Sequence, residues 1–480
     1  MVVVVFWGEG RTEGGGDKEA LFCRMRPTRV TSTTARPPAT TQAKTPAVVS
    51  RRGPSVFPHE MVAHVSHNAN ETQRTREIRR QLEQVDMEYF GVPQQQPPSA
   101  STKDDRQRLV GAIASAQGDI DSRFVKGDTI TGAPRPAWLT GPSNPEGRCL
   151  DASDRNLLCM DSLHDTVVVG SVDHGLKVYN ARTGRELRTL FSKKFGHAEW
   201  VTSCSFLPDG RILSGGMDSK ICLWHSTALR CEDLLGHTAS VSQVAVNHLG
   251  IAVSSSYDRT LRVWDCNAGV QGKQLAVLSA HSQPVMQFVW FGGCILSGDR
   301  KGQVILWDLA TGQAIAKMNT VAGQIGALGS CCTNEINLSL AGDQSGSLTG
   351  WDFRNSGTTP VFQHSLHPGG VLSGIKQMNG LSNLMVTCGA DKRIVCSDYR
   401  NLSRPVAEFV EHKDFIYSLE VVDKLIVSGG GNGWVLVHDV EQGRCLYALG
   451  ANKGAVRCLT ARDDMLVAAG DDGKVMIYDM

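Results

Sequence analysis

The segment GHAEWVTSCSFLPDGRILSGGMDSKICLW (residues 196–224) holds His197, Ser214 and Asp218, the residue types of a hydrolase triad. A triad is needed once, with its members converging at one point of the fold. The next segment, GHTASVSQVAVNHLGIAVSSSYDRTLRVWD (residues 236–265), repeats the set as His237, Ser254 and Asp258. In both, the aspartate follows the histidine by 21 residues (218 − 197 and 258 − 237). A tryptophan, Trp224 or Trp264, follows the aspartate by six. Duplication at constant spacing marks a structural unit, so the set reads as architecture and not as chemistry.

Counting outward from the two tryptophans extends the unit. Trp307 and Trp351 continue the slot at intervals of 43 and 44, Ser397, His438 and Tyr478 continue it in degraded form, and Tyr179 precedes it. Six residues before each of these eight slots stand Asp173, Asp218, Asp258, Lys301, Ser345, Asp391, Asn432 and Asp472. Histidines at 197, 237, 281, 367 and 412 each precede a Val or Ile by four residues. Between these markers run short apolar stretches separated by Gly, Asp and Asn turns, the pattern of antiparallel strands in a meander. No such unit can cover both faces of its own sheet, so successive units must stack and close.

The literal pairs Gly196-His197, Gly236-His237, Trp264-Asp265, Trp307-Asp308 and Trp351-Asp352 carry a family resemblance. Over roughly residues 150–480 the chain resembles the WD-repeat (WD40) family. The resemblance implies an all-β WD40-type β-propeller with eight blades, seven being the alternative count. It also implies that His, Ser/Thr, Asp and Trp form a buried hydrogen-bonded chain within a blade. Complete sets are His197, Ser214, Asp218 and Trp224, and His237, Ser254, Asp258 and Trp264. Blade six has Ser397 in place of Trp beside His367, Thr387 and Asp391. Blade seven has His412 and Ser428 with Asn432 and His438. Blades one, four, five and eight lack more members. The sequence stops directly after the eighth slot, so the outer strand of the last blade is expected from an upstream piece such as PAWLTG, residues 136–141.

The bulk numbers exclude several classes. Forty-nine basic residues against 48 acidic give a net charge of +1, without the basic excess of a dedicated nucleic-acid binder. The 14 cysteines form no CxxC pair and no zinc-like cluster, and several fall in strand-like apolar runs, where a thiol acts as a small hydrophobe. No metal, cofactor or catalytic residue is expected. No stretch reaches the ~18 apolar residues of a membrane span. Residues 1–145 read as a low-complexity, largely disordered extension with a candidate helix at 70–90 and a weaker one near 102–116. The propeller is assigned to 146–480.

These readings point to a non-enzymatic scaffold or adaptor, a monomeric propeller that assembles other proteins in the cytoplasm. The alternative is a nucleic-acid or chromatin-associated adaptor, or a cytoskeletal (ciliary) one, using the basic N-terminal tail at residues 24–52, within an acid-free stretch from Leu21 to His59. The residues just before each first strand and just after each Asp turn should share one face. On it Trp200, Phe415 and Trp434, rimmed by Lys220, Arg393 and Lys474, are the candidate partner-binding residues, since exposed aromatics beside cations compose binding hot spots.

Overall fold

The computed structural model describes residues 136–192, 194–268, 272–291, 293–332, 337–352, 358–378, 383–462 and 464–480. Residues 1–135 of the expected extension, with the candidate helices at 70–90 and near 102–116 and the basic segment, lie outside the described residues.

The described strands form eight four-stranded antiparallel sheets, one per expected unit, so the count is eight and not seven. Blade two is representative: Val201–Phe206, Ile212–Gly216, Ile221–Trp224 and Cys231–Leu234, counted from the centre outward. The second strand, ILSGG, is buried at every position because neighbouring blades cover both of its faces, as continuous apolar runs require. Outer strands alternate instead. Gln313–Asn319 in blade four exposes every other residue.

Each innermost strand packs on that of the next blade, and the last, Val456–Arg462, packs on the first, Leu157–Leu163, which closes the ring. Hydroxyls bridge successive blades. Thr202 Oγ1 donates to Val241 O (2.6 Å), Ser242 Oγ to Val285 O (2.7 Å), Ser373 Oγ to Ile416 O (2.7 Å) and Ser418 Oγ to Val456 O (2.9 Å). At the closing seam Arg462 is buried and reaches across to donate to Ser162 O (2.8 Å) and His164 O (2.9 Å).

Closure differs from the expectation in one respect. The outer strand of blade eight is Arg148–Asp151, paired antiparallel with Lys474–Asp479 so that Cys149 faces Met476. The expected donor, PAWLTG, instead forms a short helix, Pro136–Thr140. Pro136 suits a first helical position. One helical turn buries Trp138 fully among Val437, Leu449, Tyr478 and Met480 while leaving Leu139 exposed. Tyr447 Oη donates to the Trp138 carbonyl (3.1 Å). The helix thus plugs the junction of blades seven and eight, and the polar-flanked RCLD supplies the edge pairing.

One backbone feature recurs in every blade. The residue five before each Trp slot has a left-handed φ: His174 (74°), Ser219 (61°), Arg259 (71°), Gly302 (88°), Gly346 (78°), Lys392 (71°), Gly433 (84°) and Gly473 (75°). All four glycines are there for space as well as φ, and a Cβ on Gly302 or Gly346 would run into the Gly323 or His367 carbonyl of the next blade. A Cβ on Gly433 would run into the Asn452 carbonyl of blade eight, and one on Gly473 into the Ser153 carbonyl of blade one. The tight turn of one blade is thereby seated on the next.

Candidate functional site

Within blade two the indole of Trp224 donates to Ser214 Oγ (2.9 Å), Ser214 Oγ lies 2.8 Å from His197 Nε2, and His197 Nδ1 lies 3.0 Å from Asp218. An indole only donates and a carboxylate only accepts, which fixes the direction of the chain. Trp gives to Ser, Ser gives to Nε2, and Nδ1–H gives to Asp. Blade three repeats it through Trp264, Ser254, His237 and Asp258 at 2.9, 2.8 and 2.8 Å. The aspartate also ties down the backbone: Asp218 accepts from Ala198 N and Lys220 N, and Asp258 from Thr238 N and Thr260 N. Burial alone would raise the pKa of both carboxyls. The bonds from histidine and backbone outweigh it and hold each below the usual aspartate range. Ser214 and Ser254 have no exposed surface, so neither hydroxyl can meet a substrate.

Blade four carries a third complete set, which the fixed spacing hid. Trp307 Nε1 donates to Ser297 Oγ (2.7 Å), which lies 2.7 Å from His281 Nε2, and the acid on Nδ1 is Asp299 (3.3 Å), not the residue at position 301. Asp299 sits eight residues before its tryptophan and still reaches the ring. Asp343 holds the same place in blade five, accepting from Ala322 N (3.2 Å) and Ser345 N (2.9 Å). There Val321 stands in the histidine position, and Ser339 Oγ and Trp351 Nε1 are buried without a partner.

Blade six joins His367 to Thr387 (2.8 Å) and Asp391 (2.9 Å), with Ser397 buried in the indole position. Blade seven joins His412 Nε2 to Ser428 Oγ (2.7 Å), while His412 Nδ1 and Asn432 Oδ1 remain unpaired. Burial, and after it the charge of neighbouring His438, push His412 down to about 4. In blade eight Asn452 Nδ2 donates to Asp472 (2.7 Å). In blade one Ser153 Oγ donates to Asp173 (2.6 Å), and a cleft of about 170 Å³ lined by Leu157, Val169 and Phe191 lies alongside.

The partner-binding candidates occupy a different environment. Trp200, Phe415 and Trp434 are 40%, 42% and 46% exposed, whereas the network tryptophans are buried. Trp200 and Phe415 hold equivalent positions: the carbonyl of Trp200 accepts from Met217 N (2.9 Å) and that of Phe415 from Gly431 N (2.7 Å). They lie in blades two and seven, with blades eight and one between. Phe415 and Trp434 belong to one blade, and the Trp434 indole leans outward over Gly450. Two residues beyond Phe415, the Tyr417 ring has the Arg457 guanidinium 4.5 Å from its centroid, and Asp471 clamps that guanidinium at 2.8 and 2.9 Å. The three rim cations are distributed over three blades, each against an outer-strand carboxylate. Lys220 meets Asp233 (3.2 Å), Lys474 meets Asp151 (3.2 Å), and Arg393 meets Glu408. Tyr417 and Arg457 were not legible as rim residues, because each reads as part of an inner strand.

A space of about 40 Å³ opens between inner strands of blades five to eight, beside the Lys376–Glu420 ion pair (3.1 Å). It is far below the ~300–1,000 Å³ of a typical substrate pocket.

Comparison with known proteins agrees with this geometry. The model of the WD domain, G-beta repeat matches residues 185–225, 229–265 and 443–479. The first match, 185–225, takes in the outer strand of blade one and runs just past Trp224, so the sequence repeat and the blade are offset by one strand. Telomerase protein component 1 of Rattus norvegicus is 34% identical over 147 residues, which are 30% of this chain and 5% of that protein. The chain therefore spans a small part of that relative's length. Ribosome biogenesis protein YTM1 of Vanderwaltozyma polyspora is 23% identical over 359 residues, covering 60% of this chain and 77% of the relative. Among solved structures, Saccharomyces cerevisiae Sqt1 superposes with a TM-score of 0.61 at 15% identity, covering 70% of this chain and 99% of that one. The computationally designed Ika8 protein gives 0.60 at 23%, covering 69% and 98%. The chain thus carries repeats matched by the WD domain, G-beta repeat model and folds as an eight-bladed β-propeller with His–Ser–Trp chains inside its blades.

Proposed function

We propose that the protein is a non-enzymatic interaction scaffold whose propeller face captures a segment of a partner protein at blade seven. The observation that carries this reading is the contrast between the two aromatic sets. The structural indoles are buried, and those of Trp224, Trp264 and Trp307 are hydrogen-bonded, while Phe415 and Trp434 are partly exposed on one blade. Exposed aromatic side chains of this size are what binding hot spots are made of. Asp414, which accepts from the Phe415 N–H, adds a polar group that fixes orientation. Trp200, three blades away, is a second anchor for a segment that crosses the channel mouth.

What the relatives are named for supports the same class. YTM1 and the WDR12 homolog of Brugia malayi are ribosome biogenesis proteins. A Chaetomium thermophilum Sqt1, alike in fold at 13% identity, was solved with the N-terminus of ribosomal protein L10. The buried hydroxyls and the small central space favour binding over catalysis.

The test is affinity capture with the full chain, followed by titration of the recovered partner against Phe415→Ala/Trp434→Ala. A loss of at least ~30-fold, about 2 kcal/mol, with an unchanged melting temperature is expected. Unchanged affinity, or a collapse of the fold, would assign the pair to packing.

A further inference from the structure

Blade two brings together two thiols and a carboxylate that are scattered in the sequence. In the pairing of Ile221–Trp224 with Cys231–Leu234, Cys222 lies opposite Asp233 and Trp224 opposite Cys231. Side chains two apart share a face, so Cys222, Cys231 and Asp233 all point to the same side of the sheet. Cys222 Sγ lies 3.6 Å and Cys231 Sγ 3.8 Å from one oxygen, Asp233 Oδ1. All three ligand atoms fall within 4.8 Å of one another.

These separations fit a particular ion. With Zn–S of about 2.3 Å and Zn–O of about 2.0–2.2 Å, a tetrahedral centre sets its sulfur and oxygen ligands roughly 3.5–3.7 Å apart. A donor set of two sulfurs and one oxygen suits zinc and is wrong for calcium or magnesium, which need oxygen cages. The remaining contacts orient the ligands. Lys220 Nζ holds the other carboxylate oxygen, Oδ2, at 3.2 Å, leaving Oδ1 for the ion, and the Gly196 N–H donates to Cys231. The thiols are buried and Asp233 is exposed, which gives an entry path from solvent.

We propose that Cys222 Sγ, Cys231 Sγ and Asp233 Oδ1 bind one zinc ion, with water in the fourth position. Binding releases the two thiol protons to solvent and leaves the oxidation state of sulfur and metal unchanged. The ion ties the outer strand of blade two to its neighbour, so it acts as a staple and needs no substrate.

Cobalt(II) is the probe, added to the reduced, metal-free full chain. The expected result is a thiolate-to-cobalt charge-transfer band with tetrahedral d–d bands that saturates at one equivalent and is displaced by zinc. Loss of a partner that merely orients a ligand costs about 10–100-fold in metal affinity, so Cys231→Ser, which removes a ligand, should weaken binding by roughly 100-fold or more and Asp233→Asn, which keeps a neutral oxygen, by roughly 10-fold or more. Cys149→Ser, an exposed thiol on blade eight, should leave the spectrum intact. Zinc should raise the melting temperature of the wild type and raise that of Asp233→Asn by less at the same zinc concentration, as its weaker binding requires. No band at one equivalent, or the same band and affinity in Cys231→Ser and Asp233→Asn, would overturn the assignment.

Discussion

Asp299 Oδ2 lies 3.3 Å from His281 Nδ1, and its other oxygen accepts from the N–H groups of Lys301 (2.8 Å) and Gln303 (2.9 Å). One carboxylate therefore holds both the imidazole and the turn of blade four. It has no exposed surface, and burial, which would raise its pKa, is outweighed by these bonds. Asp299→Ala leaves a ring nitrogen and two amides unpaired and should cost about 2–4 kcal/mol. Lys301→Ala, at the position the sequence spacing indicates, should cost less than about 0.5 kcal/mol. Thermal and urea unfolding of the two variants separates them.

The left-handed turn position allows a prediction in both directions. Lys392 adopts φ 71° without being glycine, a conformation that costs about 1 kcal/mol for a residue with a Cβ. Lys392→Gly should stabilise by about 0.5 kcal/mol after the entropy of the more flexible unfolded chain is subtracted. Gly433→Ala combines the same strain with a collision against the Asn452 carbonyl and should lose at least ~2 kcal/mol. Opposite signs in melting temperature are the readout.

Blade five offers a repair. Ala322 N already bonds Asp343 as the residue after each histidine does in blades two and three, so Val321 marks the missing imidazole. Val321→His should engage Ser339 and Asp343 and stabilise by about 1 kcal/mol, since it satisfies buried groups and removes an exposed valine. A crystal structure of the variant should show the ring turned inward.

Blade seven should be the acid-sensitive blade. Folding moves the His412 pKa from its ordinary 6.5 down to about 4, so the folded protein binds fewer protons than the unfolded chain between those values. The stability due to neutral His412 is complete above about pH 6.5 and is lost as the pH falls through about 4, a change of about 1–3 kcal/mol. His438 moves in the same direction through burial, opposed by Glu411, 3.3 Å away. His412→Gln should start less stable at pH 7 and lose less between pH 6.5 and 4.5 than wild type, measured by denaturant unfolding at each pH.

The fold was readable where one residue type is forced by space. A buried indole at a fixed distance from a strand end recurs every 40 or so residues, and even Ser397, His438 and Tyr478 keep phase because the strands around them keep their length. The acids of blades four and five were misplaced because counting from tryptophan assumes that one position supplies the carboxylate. Asp299 and Asp343 reach the same place from two residues earlier, at the end of the second strand, and glycines at 302 and 346 replace the strained residue that follows Asp218 and Asp258. The Pro136–Thr140 helix was read as a strand because a short apolar run with a proline carries no period. The approach of Cys222 to Cys231 depends on strand register, which spacing alone does not reveal.

Ring closure has a temporal consequence. The strand Arg148–Asp151 leaves the ribosome more than 300 residues ahead of Lys474–Asp479, its only sheet partner among the described strands, and Arg462 meets Ser162 across a separation of 300. Seven blades can form in order as the chain emerges, but the first waits with an uncovered face and the early strand with an open edge until blade eight has been made. Contacts so distant in sequence are the slow step of folding and the interval of greatest exposure to misassembly. For this protein the codons of blade eight therefore decide whether the blades translated before them become a closed ring or an aggregation-prone arc.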